Sequence, residues 1–173
     1  MSTTFTTGEK ATKIRLTDFK TVQGRTFHLT WIAFFLCFFG WFAHAPLMNS
    51  TIGPDLDLTK AQKITAFIAS VGVTILARLI IGSLCDKIGP RKSYVYLLVF
   101  GAFAVAASSF AYSYETYLIS RMAIGIIGAS FVITQYHTSV MYAPNVVGIA
   151  NATTAGWGNL GGGVTQAVMP MLA

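Results

Sequence analysis

Two features of this chain could do chemistry inside an apolar environment. The first is the stretch AGWGNLGGGVTQAVMP, from Ala155 to Pro170. It sets Gly156, Gly158, Gly161, Gly162 and Gly163 beside one amide, Asn159. Glycine costs about 1 kcal/mol relative to alanine in a soluble helix. A run of it therefore implies that something must come close: a neighbouring helix backbone or a small substrate. Both are expected here, with Asn159 facing the substrate, because an amide can donate and accept. The second feature is Arg78. It lies about eight residues, or roughly 12 Å, from the basic cluster Lys87, Arg91 and Lys92. A guanidinium that deep costs at least about 2.5–3.5 kcal/mol on insertion scales. No acidic residue lies inside an apolar run except at its ends. Arg78 therefore either pairs with backbone carbonyls as a structural group or receives an anionic guest, and the guest is the expectation favoured here.

The elements that must position these residues are membrane helices. The chain is 54% hydrophobic and 10% charged, with mean hydropathy +0.61. Soluble domains carry about 25% charge. Apolar runs of spanning length recur without the period-two alternation of a membrane strand. The expected fold is all-α and integral to a membrane, with about five spans near residues 27–48, 60–84, 94–111, 117–141 and 146–173. Residues 1–26 form a polar, basic tail, either disordered or carrying an interfacial turn around Leu16–Val22. The first apolar run is too long for the h-region of a cleavable signal peptide, which is about 7–15 residues.

Charge placement sets an expected topology. The net charge is +6. Lys10, Lys13, Arg15, Lys20 and Arg25 sit in the tail, and Lys87, Arg91 and Lys92 in one short loop. This pattern suits the positive-inside rule better than a basic face for nucleic acid, which is not an expected partner. The amino terminus and the basic loop are placed inside, and the loop Asn49–Thr59 with Asp55 and Asp57 outside. Thr59 and Gln62 have the spacing of a capping box, so a helix should start there. Cys37 and Cys85 read as buried thiols.

Other residues carry weaker signals. His44 and Pro46 suggest a break near the end of the first span, and His44 is more readily a structural group than a proton carrier. Arg121, Gly125 and Gly128 share one face of the fourth span. Arg121 is expected to snorkel outward or to pair with Glu115. Thr134, Gln135 and His137 suggest a face turned to a water-filled path. The three histidines show no metal-ligand spacing, no Ser/His/Asp or Cys/His set shares a face, and no cofactor is implied; the chain is not expected to be an enzyme.

Between the second and third spans stand Gly82, Asp86, Gly89, Arg91 and Lys92. This pattern resembles the loop of the major facilitator superfamily, where it is a gating and structural element. AGWGNLGGG followed by MP is similar to the glycine-rich signature of that superfamily's nitrate/nitrite porters, in the assimilatory form. The resemblance covers residues from about 30 to the end. It implies a secondary transporter of nitrate or nitrite in the cytoplasmic membrane, with proton coupling left open. Arg78 matches the anion-binding arginine, Asn159 the nearby amide, and Phe131 an aromatic that sandwiches the ion. Phe42 is the span-one candidate for that sandwich. Ala155 stands where some relatives have glycine. The family has about twelve spans in two similar halves, each half contributing an arginine. The expectation is thus the amino-terminal part of such a bundle, whose missing half is supplied by the rest of a longer chain or by a partner. Its rivals are a carrier of another small organic anion and a non-transporting membrane scaffold or sensor.

Overall fold

A computed structural model describes residues 10–172. Among the described residues there is no strand, only an isolated bridge between Ala11 and Tyr142. Span one is the helix Val22–Phe42. Thr21 caps it by accepting from Gly24 N–H at 3.0 Å. Asp18 in turn accepts from the Thr21 hydroxyl and from the Thr21 and Lys20 N–H groups. These donors, the Thr21 hydroxyl first, hold the Asp18 carboxyl below its ordinary value.

The expected break at His44 and Pro46 is only a local tightening. Ala43 bonds back three residues to Gly40, and the helix resumes at His44–Leu47. Pro46 lacks the N–H that would bond Phe42. A wide turn at Met48–Ile52 follows, then Gly53–Asp55. The loop expected over Asn49–Thr59 is therefore helical through Asp55. Only Leu56–Thr59 remains to turn the chain.

Span two, Lys60–Ile88, begins at the expected capping box. Thr59 N–H donates to Gln62 Oε1 at 2.9 Å, and Gln62 N–H to Thr59 Oγ1 at 3.3 Å. Gly89 ends the span with φ +83° and ψ 158°. Pro90 occupies the first turn of span three, Pro90–Ser108, where its missing N–H costs nothing. Span four runs from Tyr114–Ile126 through a tight turn, Ile127–Ala129, into Ser130–Met141. Span five is Val147–Val168.

Among the described residues, three segments are long and apolar enough to cross a membrane: Val22–Asp55, Lys60–Ile88 and Tyr114–Met141. Spans three and five are of comparable length, but one opens on Arg91 and Lys92 and the other carries the glycine and amide run.

Two contacts order the bundle. Ala11 exchanges backbone hydrogen bonds with the Met141–Ala143 segment, both at 2.9 Å. The tail and the Pro144 loop therefore share one end of the bundle. At the opposite end, Ser108 Oγ lies 3.1 Å from His44 Nε2, joining spans one and three. The core between them holds Phe34, Phe38, Trp41, Ile81, Leu97, Ile124, Ile127 and Ile133.

Candidate functional site

Small residues bring the helices close. A methyl at Gly125 would strike the Ser70 carbonyl, and one at Gly128 would meet Thr74 at 2.9 Å and the Trp41 ring at 3.1 Å. Spans two and four thus meet almost backbone to backbone at Gly125, and the Trp41 ring of span one lies against Gly128. Hydroxyls fill the same layer. Thr74 donates to the Gly125 carbonyl at 2.6 Å, and Trp41 Nε1 to Ser70 Oγ at 3.1 Å. Tyr94 donates to the Ser130 carbonyl at 3.1 Å and also contacts the Thr134 hydroxyl.

The tight turn at Ile127–Ala129 overlaps the sequence Gly128-Ala129-Ser130 that precedes Phe131. Phe131 is half-buried. Its ring packs on Phe34 of span one, centroids 5.8 Å apart. The Arg78 guanidinium carbon stands 5.7 Å from the same ring's centroid. That separation is within cation–π range. Arg78 itself is exposed on the bundle's flank and makes no ion pair among the described residues. Phe34 is fully buried and lies against Gly158 of span five. A chain of contacts therefore runs from Arg78 through Phe131 and Phe34 to the glycine run.

The glycines divide into two groups. At Gly158 a methyl would collide with the Phe34 ring, and at Gly161 with the Phe35 carbonyl. At Gly162 it would stand 3.1 Å from the Phe42 ring. Thr165 donates to the Phe39 carbonyl at 3.1 Å, on the same seam. These positions serve the approach of spans one and five. Gly156 and Gly163 face open space, with nothing within 4 Å.

Asn159 is exposed, and its Nδ2 donates to the Ala155 carbonyl of its own helix at 2.9 Å. One N–H and the oxygen stay available. Phe42 contacts Trp41 and Phe38, with centroids 4.9 and 5.9 Å away, and faces Gly162. The span-one ring against Phe131 is Phe34, one of six aromatics close together in span one that spacing alone does not tell apart.

Two expectations are corrected. Arg121 neither snorkels nor pairs with Glu115. It is 3% exposed and donates from Nη1 to the Trp41 carbonyl at 3.1 Å, while Glu115 is solvated. Span four's polar residues do not all face a path: Thr134 is fully buried against Tyr94, and His137 Nδ1 lies 2.9 Å from Thr30 Oγ1. Gly82 makes no unusually close contact, since a methyl there would sit 3.8 Å from Val132. Asp86, Arg91 and Lys92 are exposed at the turn that Gly89 makes.

Comparison with known proteins agrees with this architecture. The family model for the Major Facilitator Superfamily matches residues 30–173. The chain is 38% identical over 163 residues to "High affinity nitrate transporter 2.7" of Arabidopsis thaliana, covering 94% of this chain and 33% of that protein. It is 41% identical over 163 residues to "High-affinity nitrate transporter 2.3" of Oryza sativa, covering 94% and 31%. It is 40% identical over 149 residues to "Nitrate/nitrite transporter NrtP" of Nostoc punctiforme, covering 86% and 30%. The chain thus spans about a third of the length of the curated relatives it matches. No solved structure matches it significantly. A helical bundle drawn together by small residues, the basic turn at Gly89 and a family match over most of its length lead to one conclusion: the chain belongs to the major facilitator superfamily.

Proposed function

We propose that the protein containing this chain carries nitrate, nitrite or both across the cytoplasmic membrane by alternating access. The observation that carries this reading is the placement of Arg78. Its guanidinium is exposed, has no acidic partner among the described residues, and stands over the Phe131 ring. A planar guanidinium beside a flat ring suits a planar, weakly hydrated anion better than an ammonium would. The names of the similar transporters support the same substrate class.

In this reading Arg78 binds the anion and Phe131 lies on one face of the bound ion. Asn159 offers its remaining N–H, and Phe42 borders the path. Asp86, Gly89, Arg91 and Lys92 gate the inner end. The five helices are five spans, with the amino terminus and basic loop inside. A further half, absent from these residues, supplies the opposing wall and a second cation. Movement of the two halves against each other passes the ion.

The test is Arg78→Lys in the full-length protein. Uptake of nitrate should be abolished while membrane insertion is unchanged. Retained high-affinity uptake overturns the assignment. Competition between nitrate, nitrite and small carboxylates separates this substrate from an organic anion.

A further inference from the structure

A second cationic pocket lies where span one's helical extension meets spans two and four. It has a volume of about 340 Å³ and is lined by His44, Asn49, Lys60, Lys63, Phe67 and Arg121, among others. No carboxylate lines it. Asp55 and Asp57 are nearby in the chain but exposed, and Glu115 is solvated. Arg121 is 3% exposed, and its Nε has no hydrogen-bond partner. Orphaned N–H groups of a buried cation are costly unless something accepts from them. The Lys63 ammonium, 3.5 Å from Asn49 Oδ1, holds only a long contact.

The pocket also has a direction. Lys60, Ile64, Phe67, Val71, Thr74 and Arg78 follow one another at spacings of four and three, so they share a face of span two. Lys63 is fifteen residues before Arg78, or roughly 22 Å along the axis. The volume exceeds that of a bare small anion, since a water takes about 30 Å³ in the liquid. An ion there keeps part of its hydration and is held loosely.

We propose that this pocket is a second anion site at the outer mouth, which captures a small monovalent oxyanion and feeds it along span two to Arg78. The outer placement and the feeding role rest on the transport reading above; the anion site itself rests on the pocket. Lys60 and Lys63 attract, and Arg121 forms the donor floor. Beyond about 8 Å, mobile salt screens such charges, so the lysines act by local capture rather than through a field at Arg78.

The experiment has two arms in the full-length protein. In the first, acetylation of individual lysines is followed by mass spectrometry in sodium nitrate and in sodium gluconate. Nitrate should slow modification of Lys60 and Lys63 several-fold and leave Lys87 and Lys92 unchanged, in wild type and in Arg78→Lys alike. Equal rates at Lys60 and Lys63 in the two salts overturn the site, whatever Arg78→Lys does to transport. In the second arm, K60Q/K63Q in proteoliposomes should raise the KM for nitrate about 3–10-fold, keep the maximal rate within about twofold, and flatten the salt dependence of uptake. Protection without any change in KM or salt dependence overturns the feeding role. Normal uptake by Arg78→Lys overturns the reading of Arg78 and leaves the acetylation result to decide the pocket.

Discussion

Gly158 of span five lies against the Phe34 ring of span one so closely that no methyl group fits between them. Three residues on, Gly161 meets the Phe35 carbonyl in the same way. The two helices are therefore set by contact between backbone and side chain at one position and between two backbones at the other. Without a hydrophobic drive between helices in lipid, such close approach is the main source of their attachment.

Gly158→Ala should destabilise the full-length protein by about 1–3 kcal/mol, the usual cost of overpacking. Gly161→Ala should cost at least as much, because a carbonyl cannot rotate away as a ring can. Gly156→Ala, which faces open space, should be neutral or gain up to about 1 kcal/mol of helix propensity. Thermal unfolding in detergent ranks the three. Equal midpoints for Gly158→Ala and Gly156→Ala would contradict the seam described here.

Gly89 has φ +83° and ψ 158°, a region that is essentially glycine's alone. Its absent side chain would meet nothing within 4 Å, so the requirement is conformational and not steric crowding. Gly89→Ala should cost about 1–3 kcal/mol through strain at the turn between spans two and three. The same unfolding assay reads it, and a neutral result would mean that the turn adopts another shape.

Phe131→Leu keeps an apolar side chain but removes the ring beside Arg78. An exposed cation–π contact is worth about 0.5–1 kcal/mol. On the transport reading, the KM for nitrate should rise about 2–5-fold with little change in expression. A variant indistinguishable from wild type in uptake would remove Phe131 from the site.

The cap of span one should depend on acidity. Asp18's carboxyl is held below its ordinary value of 3.8 by the Thr21 hydroxyl and two backbone N–H groups. A depressed folded-state value means that the stabilisation is present above about pH 4 and is lost as pH falls through that lowered value. Amide exchange at Thr21, normalised for intrinsic rate, should show protection at pH 5–7 that declines below pH 4. Asp18→Asn should remove this dependence. Persistence of the decline in Asp18→Asn would assign it to another group.

The sequence by itself determined the class and much of the local structure. Apolar runs of spanning length leave a chain no way to satisfy its backbone in lipid except as helices. Thr59 with Gln62 and Gly89 with Pro90 are local signals, because a cap or a turn is satisfied within a few residues, and both appear where the chain announces them. The glycine run was legible as a close-approach helix for the same kind of reason: only an absent side chain permits it. Which glycine serves which neighbour was not legible, because that depends on the rotation of span five against span one. Only the folded bundle separates Gly158, Gly161 and Gly162, on the seam, from Gly156 and Gly163, in the open. Arg121 teaches the same point. Its sequence neighbour Glu115 lies six residues away, but its partner is the Trp41 carbonyl, eighty residues distant. Likewise Phe34 stands out from its aromatic neighbours only once span four turns at Ile127–Ala129 and sets Phe131 in contact with both that ring and Arg78. Periodicity and caps act over one or two helical turns; partners across the bundle are chosen by how whole helices pack, and that information lies in no single stretch of the chain.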